Sequence, residues 1–428
     1  MKKRHSFLCL LLCAFVLLTS CSENAGPGSD PWEEGGVSKK IEDALEKSIS
    51  ASTVYNEYER MTAYQDAPEK IRIRPGQLTA SAWDDNRYFE AFRSLFEQGE
   101  TEEEKGRFAS YVQNNWNVPT ENRVKVSVTC GSDAVIGASV SCDGFRAVTD
   151  TTGVAYLFPK TPGAGTVTVT AGTETVTATF TETERDLAVS LASLPSRCDV
   201  IELMFVIDAT GSMGDEMEYL KIELGDVIRR VTQNTQTQIS LAFLFYRDDG
   251  DTEKFRYEDF RNVTNPADYE IQQAVLKEEF ADGGGDTPEA LDEALEIAVN
   301  KQWLSGATTK LIFHLFDAPA HKKDENKLRY GTAVSTAAEK GIRICPILAS
   351  GADRLCEYLA RAEAVTTGGT FIYITDHSAI GYEHLDPEIT NAVVEYLNDC
   401  LVRIINGYHT GTFAPPISWE SSSQNEEP

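Results

Sequence analysis

Positive charge is scarce in this chain. Of 428 residues, 39 are Lys or Arg against 67 Asp or Glu, a net charge of −28 with histidine neutral. Phosphate recognition needs clustered basic side chains, so broad contact with nucleic acid or an anionic lipid surface is excluded. Long hydrophobic runs are also missing: residues 7–18 form a twelve-residue apolar stretch. As a helix it reaches about 18 Å, short of the ~30 Å hydrocarbon core, which excludes a permanent span. No C-x-x-C pair, H-x-x-x-H spacing, G-x-S-x-G elbow or P-loop occurs, so the usual zinc, serine-hydrolase and nucleotide signatures are absent and no enzyme activity is expected. What is present is ordinary for globular protein, 41% hydrophobic and 25% charged, with room for about three compact units.

The amino terminus reads as an address. Lys2, Lys3 and Arg4 precede the apolar stretch, and Leu18-Thr19-Ser20-Cys21 closes it with small residues before a cysteine. This resembles a bacterial lipobox, which implies removal of residues 1–21 as a signal and acylation of Cys21. Ser22, by the sorting rule of Gram-negative lipoproteins, implies the outer membrane. The expected location is the cell envelope, lipid-anchored, on the periplasmic face or the cell surface. Residues 22–36, rich in Gly, Pro, Ser and Asp, read as a flexible tether.

Export changes the meaning of the cysteines. Six remain beyond Cys21: Cys130, Cys142, Cys198, Cys345, Cys356 and Cys400. An oxidising compartment permits disulfides among them. Cys130 and Cys142 fall on consecutive expected strands, where a bridge would contribute roughly 3 kcal/mol; two buried thiols are the other reading.

Residues 37–118 carry helical spacing, as at Ile41, Ala44, Leu45 and Ile49, then Phe89, Phe92, Leu95 and Phe96. From residue 121 the pattern alternates with period two, rich in Val and Thr and punctuated by Asp143-Gly144, Pro162-Gly163 and Ala171-Gly172. Residues 121–195 are therefore expected to form a small β-sandwich. Residues 149–155, Thr-Asp-Thr-Thr-Gly-Val-Ala, resemble carboxypeptidase-regulatory-like and transthyretin-like domains, which implies an Ig-like spacer.

Beyond residue 198 strands and helices alternate. Strands are expected at 200–207, 239–246, 311–316, 342–348 and 371–374. Helices are expected at 213–231, 267–280, 289–303, up to about 340, after 352, and at 387–405. That order predicts a doubly wound, mostly parallel sheet over residues 198–408, with ligands at the carboxyl ends of its strands. Residues 409–428 read as a disordered tail. The whole is thus a multidomain chain: α/β fold, preceding β-sandwich and helical region.

At the end of the first α/β strand stands Asp208-Ala209-Thr210-Gly211-Ser212-Met213. A carboxylate and two hydroxyls at alternate positions entering a helix can converge on one cation. The segment resembles the D-x-S/T-x-S signature of von Willebrand factor type A domains. Gly283-Gly284-Gly285-Asp286-Thr287-Pro288-Glu289 resembles that family's second loop and Leu311–Asp317 its third. The resemblance implies a metal-ion-dependent adhesion site with Asp208, Thr210, Ser212, Thr287 and Asp317 around Mg²⁺, or Mn²⁺. Asp286-Thr287-Pro288-Glu289 also resembles the D-x-P-E loop of integrin β subunits, which implies Glu289 as the ligand instead, with Asp286 and Asp248 holding a second cation, Ca²⁺. Read without the resemblance, residues 248–251 are a solvated acidic turn and His321 a surface histidine. Residues 77–86 resemble a segment upstream of such domains in bacterial envelope proteins; a helix start capped by Asp84 or Asp85 is the alternative. The family further implies a Cys198–Cys400 disulfide in some extracellular members.

Mg²⁺ takes six oxygens and dehydrates reluctantly, so a site with one open position suits a carboxylate from a partner. The expected function is capture of a protein or glycan ligand. The rival is an envelope scaffold whose partner docks on the sandwich or helical region while the metal is structural.

Overall fold

The computed structural model describes residues 73–97, 106–111, 116–234, 237–285, 287–387, 389 and 391–423. The lipobox, Cys21, the tether, the first half of the expected helical region and Asp286 lie outside these residues.

An eight-stranded mixed sheet organises the larger domain. Its strands are β1 (Thr79–Trp83), β10 (Cys198–Asp208), β11 (Gln238–Tyr246), β12 (Phe255–Asn262), β13 (Ala307–Phe316), β14 (Arg343–Leu348), β15 (Phe371–Ile374) and β16 (Glu395–Tyr396), in the order β12–β11–β10–β13–β14–β15–β1–β16. β11, β10, β13, β14 and β15 run parallel, while β12, β1 and β16 are paired antiparallel. From Val200 to Ile207 β10 is buried and, apart from Glu202, apolar, because both of its faces are covered. Ile201, Leu203, Phe205 and Ile207 pack with α2 (Gly214–Asn234), α3 (Pro266–Glu278) and α7 (Leu397–Thr410). Met204 and Val206 join the opposite core, with α4 (Leu291–Val299), α5 (Asp324–Glu339) and α6 (Arg354–Thr367). The helices begin where caps allow: Asn265 accepts from the Ala267 N–H with Pro266 behind it, and Asp353 accepts from the Cys356 N–H.

The sandwich comprises β2 (Val124–Cys130), β3 (Asp133–Ala134), β4 (Ser139–Cys142), β5 (Phe145–Val148), β6 (Val154–Leu157), β7 (Gly165–Ala171), β8 (Glu174–Phe180) and β9 (Asp186–Ser190). One sheet is β3–β2–β6 with β9 on β2, and the other is β5–β4–β7–β8. It is fastened to the α/β domain by Arg343 to the Val148 carbonyl (2.8 Å), Thr151 to the Tyr408 carbonyl (2.7 Å) and the Arg146–Glu339 pair (3.0 Å), and the two share one apolar core.

Several expectations change. Residues 79–83, expected within a helical region, form β1, flanked by β15 and β16 in the α/β sheet. The sequence Thr-Ala-Ser-Ala-Trp has no 3.6-residue apolar stripe, and Leu78 and Ala80 go into the sheet core. The α/β fold therefore does not begin at 198: its sheet draws a strand from before the sandwich, which is inserted between β1 and β10. A short helix, α1 (Phe89–Ser94), does occur, after a turn in which Asp84 accepts from the Asn86 and Arg87 N–H groups. β12 was not expected, because Phe-Arg-Tyr-Glu-Asp-Phe-Arg-Asn is a half-exposed edge strand with little apolar signal. The last long helix is Leu397–Thr410 rather than 387–405. The expected tail packs through α8 (Trp419–Ser423): Phe413 lies edge-on to Tyr408 and Trp419 against His377.

The disulfide expectations are also corrected. Cys130, Cys142, Cys198, Cys345, Cys356 and Cys400 are all free thiols. Cys130 and Cys142 belong to different sheets of the sandwich. Cys198 is exposed at the start of β10, whereas Cys400 is fully buried in α7. Among the described residues no helix is long and apolar enough to cross a membrane.

Candidate functional site

β10 delivers Asp208 to the carboxyl edge of the parallel sheet, and Gly211–Met213 turn the chain as a single 3₁₀ turn into α2. Thr210 donates its hydroxyl to Asp208 Oδ1 at 2.6 Å and its N–H to the same oxygen at 3.0 Å. Its hydroxyl also lies 3.2 Å from Ser212 Oγ. Asp208 and Thr210 are fully buried while Ser212 is exposed, so Ser212 stands at the mouth of a pit floored by Asp208 and Thr210.

Asp317, next after β13, and Glu289, before α4, close the pit. Asp317 sits beside the Ser212 hydroxyl, and Glu289 is held by its N–H to the Pro319 carbonyl (3.0 Å) and by a bridge to Ala320. The loop at 282–284 is stitched down by Asp282 N–H to Ala209 O (2.9 Å) and Gly211 N–H to Gly283 O (3.1 Å). Gly284 has positive φ, and a Cβ there would fall 2.6 Å from Thr210 Cβ and 2.8 Å from Glu289 Oε1. Only glycine lets the backbone approach that closely.

The electrostatics are those of carboxylates facing one another without a counter-charge. Burial, then repulsion from Asp317, raises Asp208 to about 7 against the pull of Thr210. Burial raises Asp317 to about 6, opposed by Ser212. Glu289 is raised to about 9 by burial and by Asp208, Asp248, Asp317 and Asp251. Asp208 Oδ2, Asp317 Oδ1 and Glu289 Oε2 are buried and make no hydrogen bond. Three orphaned carboxylate oxygens beside two hydroxyls are the donor set of a hard cation, and the residues present fit one. Among the described residues no cluster of three His, Cys, Asp or Glu side chains forms a metal site; the set here is mixed, hydroxyls with carboxylates.

The two candidate residues of the second loop differ in burial. Thr287 is exposed, whereas Glu289 is 3% exposed and turned among the other carboxylates. Asp248 is not in a solvated turn: it is 5% exposed, and its Oδ1 meets His321 Nε2 at 2.9 Å, so His321 is tied down as well. Asp251, which the sequence marked only as part of an acidic run, accepts the N–H groups of Asp248 and Gly284, both at 3.0 Å. It joins the two loops, and no local pattern reveals it because its partner Gly284 is 33 residues away.

Residues 202–376 match the model of the von Willebrand factor A domain, and the chain carries a domain of that type there. No curated protein matches the chain. Among solved structures it is similar to the conserved hypothetical protein BatB from Bacteroides thetaiotaomicron (16% identity over 41% of this chain and 89% of that one, TM-score 0.30). It is likewise similar to an aerotolerance-related membrane protein from Bacteroides fragilis (13%, 50% and 100%, TM-score 0.32) and to the PilB minor pilin from Streptococcus sanguinis (11%, 72% and 97%, TM-score 0.36).

Proposed function

We propose that this chain is a lipid-anchored envelope protein that captures a protein or glycan partner through Mg²⁺ held in its von Willebrand factor A-type domain. Thr210 and Ser212 hydroxyls with the Asp208, Asp317 and Glu289 carboxylates would hold the ion, with Mn²⁺ as a substitute. The ion, when bound, supplies a Lewis-acidic position that takes a carboxylate from the partner. The observation that carries this reading is that Asp208, Asp317 and Glu289, which repel one another, each leave a buried carboxylate oxygen without a hydrogen bond, with the Thr210 hydroxyl bonded to Asp208 and 3.2 Å from Ser212. Asp208 and Thr210 form the rigid floor, Ser212 the rim, and Gly284 leaves the space between them. A second cation, Ca²⁺, would be held by Asp248 with Asp286, which lies outside the described residues; Asp248 Oδ1 meets His321 Nε2 at 2.9 Å.

The anchor rests on the lipobox resemblance. The family match supports interaction or adhesion. The test is pull-down from solubilised envelope with the full chain in Mg²⁺ against EDTA. Partner recovery should need Mg²⁺ and be lost in Asp208→Ala; recovery unchanged by both would favour a scaffold whose partner docks on the sandwich.

A further inference from the structure

Far from the pit, at the amino-terminal ends of β13 and β14, the sandwich and the α/β domain enclose a cavity of about 170 Å³. Ile136, Val148 and Thr151 wall it from the sandwich, and Lys310, Lys340 and Arg343 from the α/β domain. Three cations at one junction are unexpected in a chain with 67 acidic residues.

Their hydrogen bonds go to neutral oxygens. Lys310 Nζ reaches the Lys340 carbonyl (3.2 Å), and Lys340 Nζ the Val299 carbonyl (2.8 Å) and Asn300 Oδ1 (2.9 Å). Arg343 gives its two terminal nitrogens to the Gly341 and Val148 carbonyls (3.0 and 2.8 Å), and its buried Nε makes no hydrogen bond. Arg343 is 8% exposed.

Two carboxylates lie near. Glu202 is opposite Lys310 in the ladder, but its Oε2 accepts from the Leu304 N–H. Asp150 lines the cavity, but its Oδ1 is taken by Thr152 and Val154 within its own turn. Burial pushes the Lys310 amine down, Glu202 works against that, and Arg343 and Lys340 add to the depression. Buried charge without a partner is costly, and an anion between the cations would relieve it.

We propose that this cavity binds a small tetrahedral oxyanion, phosphate or sulfate, between Lys310 and Arg343. The volume is below the roughly 300 Å³ of pockets that take larger organic ligands, so the ligand class is an inorganic ion and not a nucleotide. Because Arg343 already joins β14 to the Val148 carbonyl, a bound anion would fasten the sandwich to the α/β domain.

The test is thermal unfolding of the full chain at constant ionic strength, with chloride replaced by millimolar phosphate. A saturable rise in Tm of about 2 °C or more is expected. Lys310→Gln, whatever its own starting Tm, should gain nothing from phosphate. Phosphorus NMR gives a second readout: the inorganic phosphate line should broaden with the wild-type chain and stay sharp with Lys310→Gln or Arg343→Gln. An equal Tm rise in wild type and Lys310→Gln, or a sharp line with the wild-type chain, would overturn the proposal.

Discussion

Thr210 occupies one oxygen of Asp208 through both its hydroxyl and its N–H, and the other oxygen, Oδ2, is buried without a hydrogen bond. The hydroxyl thereby fixes the carboxylate's orientation and leaves one oxygen directed at whatever fills the pit. Under the proposed function, this division of labour, one oxygen anchored and one reserved, suits the aspartate to bind a cation.

Asp208 carries an electrostatic cost in the absence of metal, because burial and Asp317 both disfavour its charge. Asp208→Asn keeps the shape and removes that charge. In EDTA the variant should melt above wild type; on adding Mg²⁺ the wild type should gain stability and the variant should not. Calorimetric unfolding with and without Mg²⁺ checks both halves.

The second loop offers a sharper comparison. Glu289 points among the carboxylates and Thr287 is exposed. Glu289→Gln is expected to weaken Mg²⁺ binding by about tenfold or more, since the site loses a charged oxygen ligand. Thr287→Ala should bind as wild type does; the reverse order of effects would restore the threonine to the metal.

A pH dependence is predicted at His384. Its Nε2 meets Glu216 Oε1 at 2.6 Å and its Nδ1 meets Asp376 Oδ1 at 2.8 Å, so both ring nitrogens face carboxylates. Burial alone would lower its pKa, yet the two carboxylates raise it above the ordinary 6.5. A folded value above the unfolded one means that the charged form stabilises the fold. The contribution is fully present below pH 6.5 and is lost as the pH climbs through the raised value. The difference in urea midpoint between wild type and His384→Gln should therefore be larger at pH 6 than at pH 9.

Arg361 is 1% exposed and is paired with Asp85 (2.6 Å) and Glu357 (3.1 Å), clamping the segment after β1 onto α6. Asp85→Ala leaves that guanidinium with one fewer counter-charge in a buried setting. The cost should be about 3–5 kcal/mol, read from chemical denaturation. A chain truncated to begin at Cys198 removes β1 altogether and uncovers the β15 edge and the core beneath Leu78 and Ala80. It should fail to give a cooperative melt even though it contains every residue of the pit.

How far the sequence announced this molecule depends on the range of each signal. β10, β13 and β14 were legible because a strand covered on both faces must be apolar, and Asp208, Thr210 and Ser212 because their spacing is local. β1 was hidden because four small residues and a tryptophan take their place only from partners about three hundred residues away, such as Ile374 opposite Ala80. Glu289 and Thr287 stand two apart in one loop, and the burial of Glu289 alone follows from its contact with Pro319 and Ala320, which no spacing encodes. Asp248 read as solvated because its partner, His321, is 73 residues distant. The tail read as disordered because Phe413 and Trp419 are isolated apolar anchors in a polar stretch.

The most direct test is titration calorimetry of the EDTA-stripped chain with MgCl₂. One saturable site in the wild type, absent in Asp208→Asn and weakened in Ser212→Ala, is the predicted result. Equal binding by all three, or no Mg²⁺ binding by the wild type, would contradict the account.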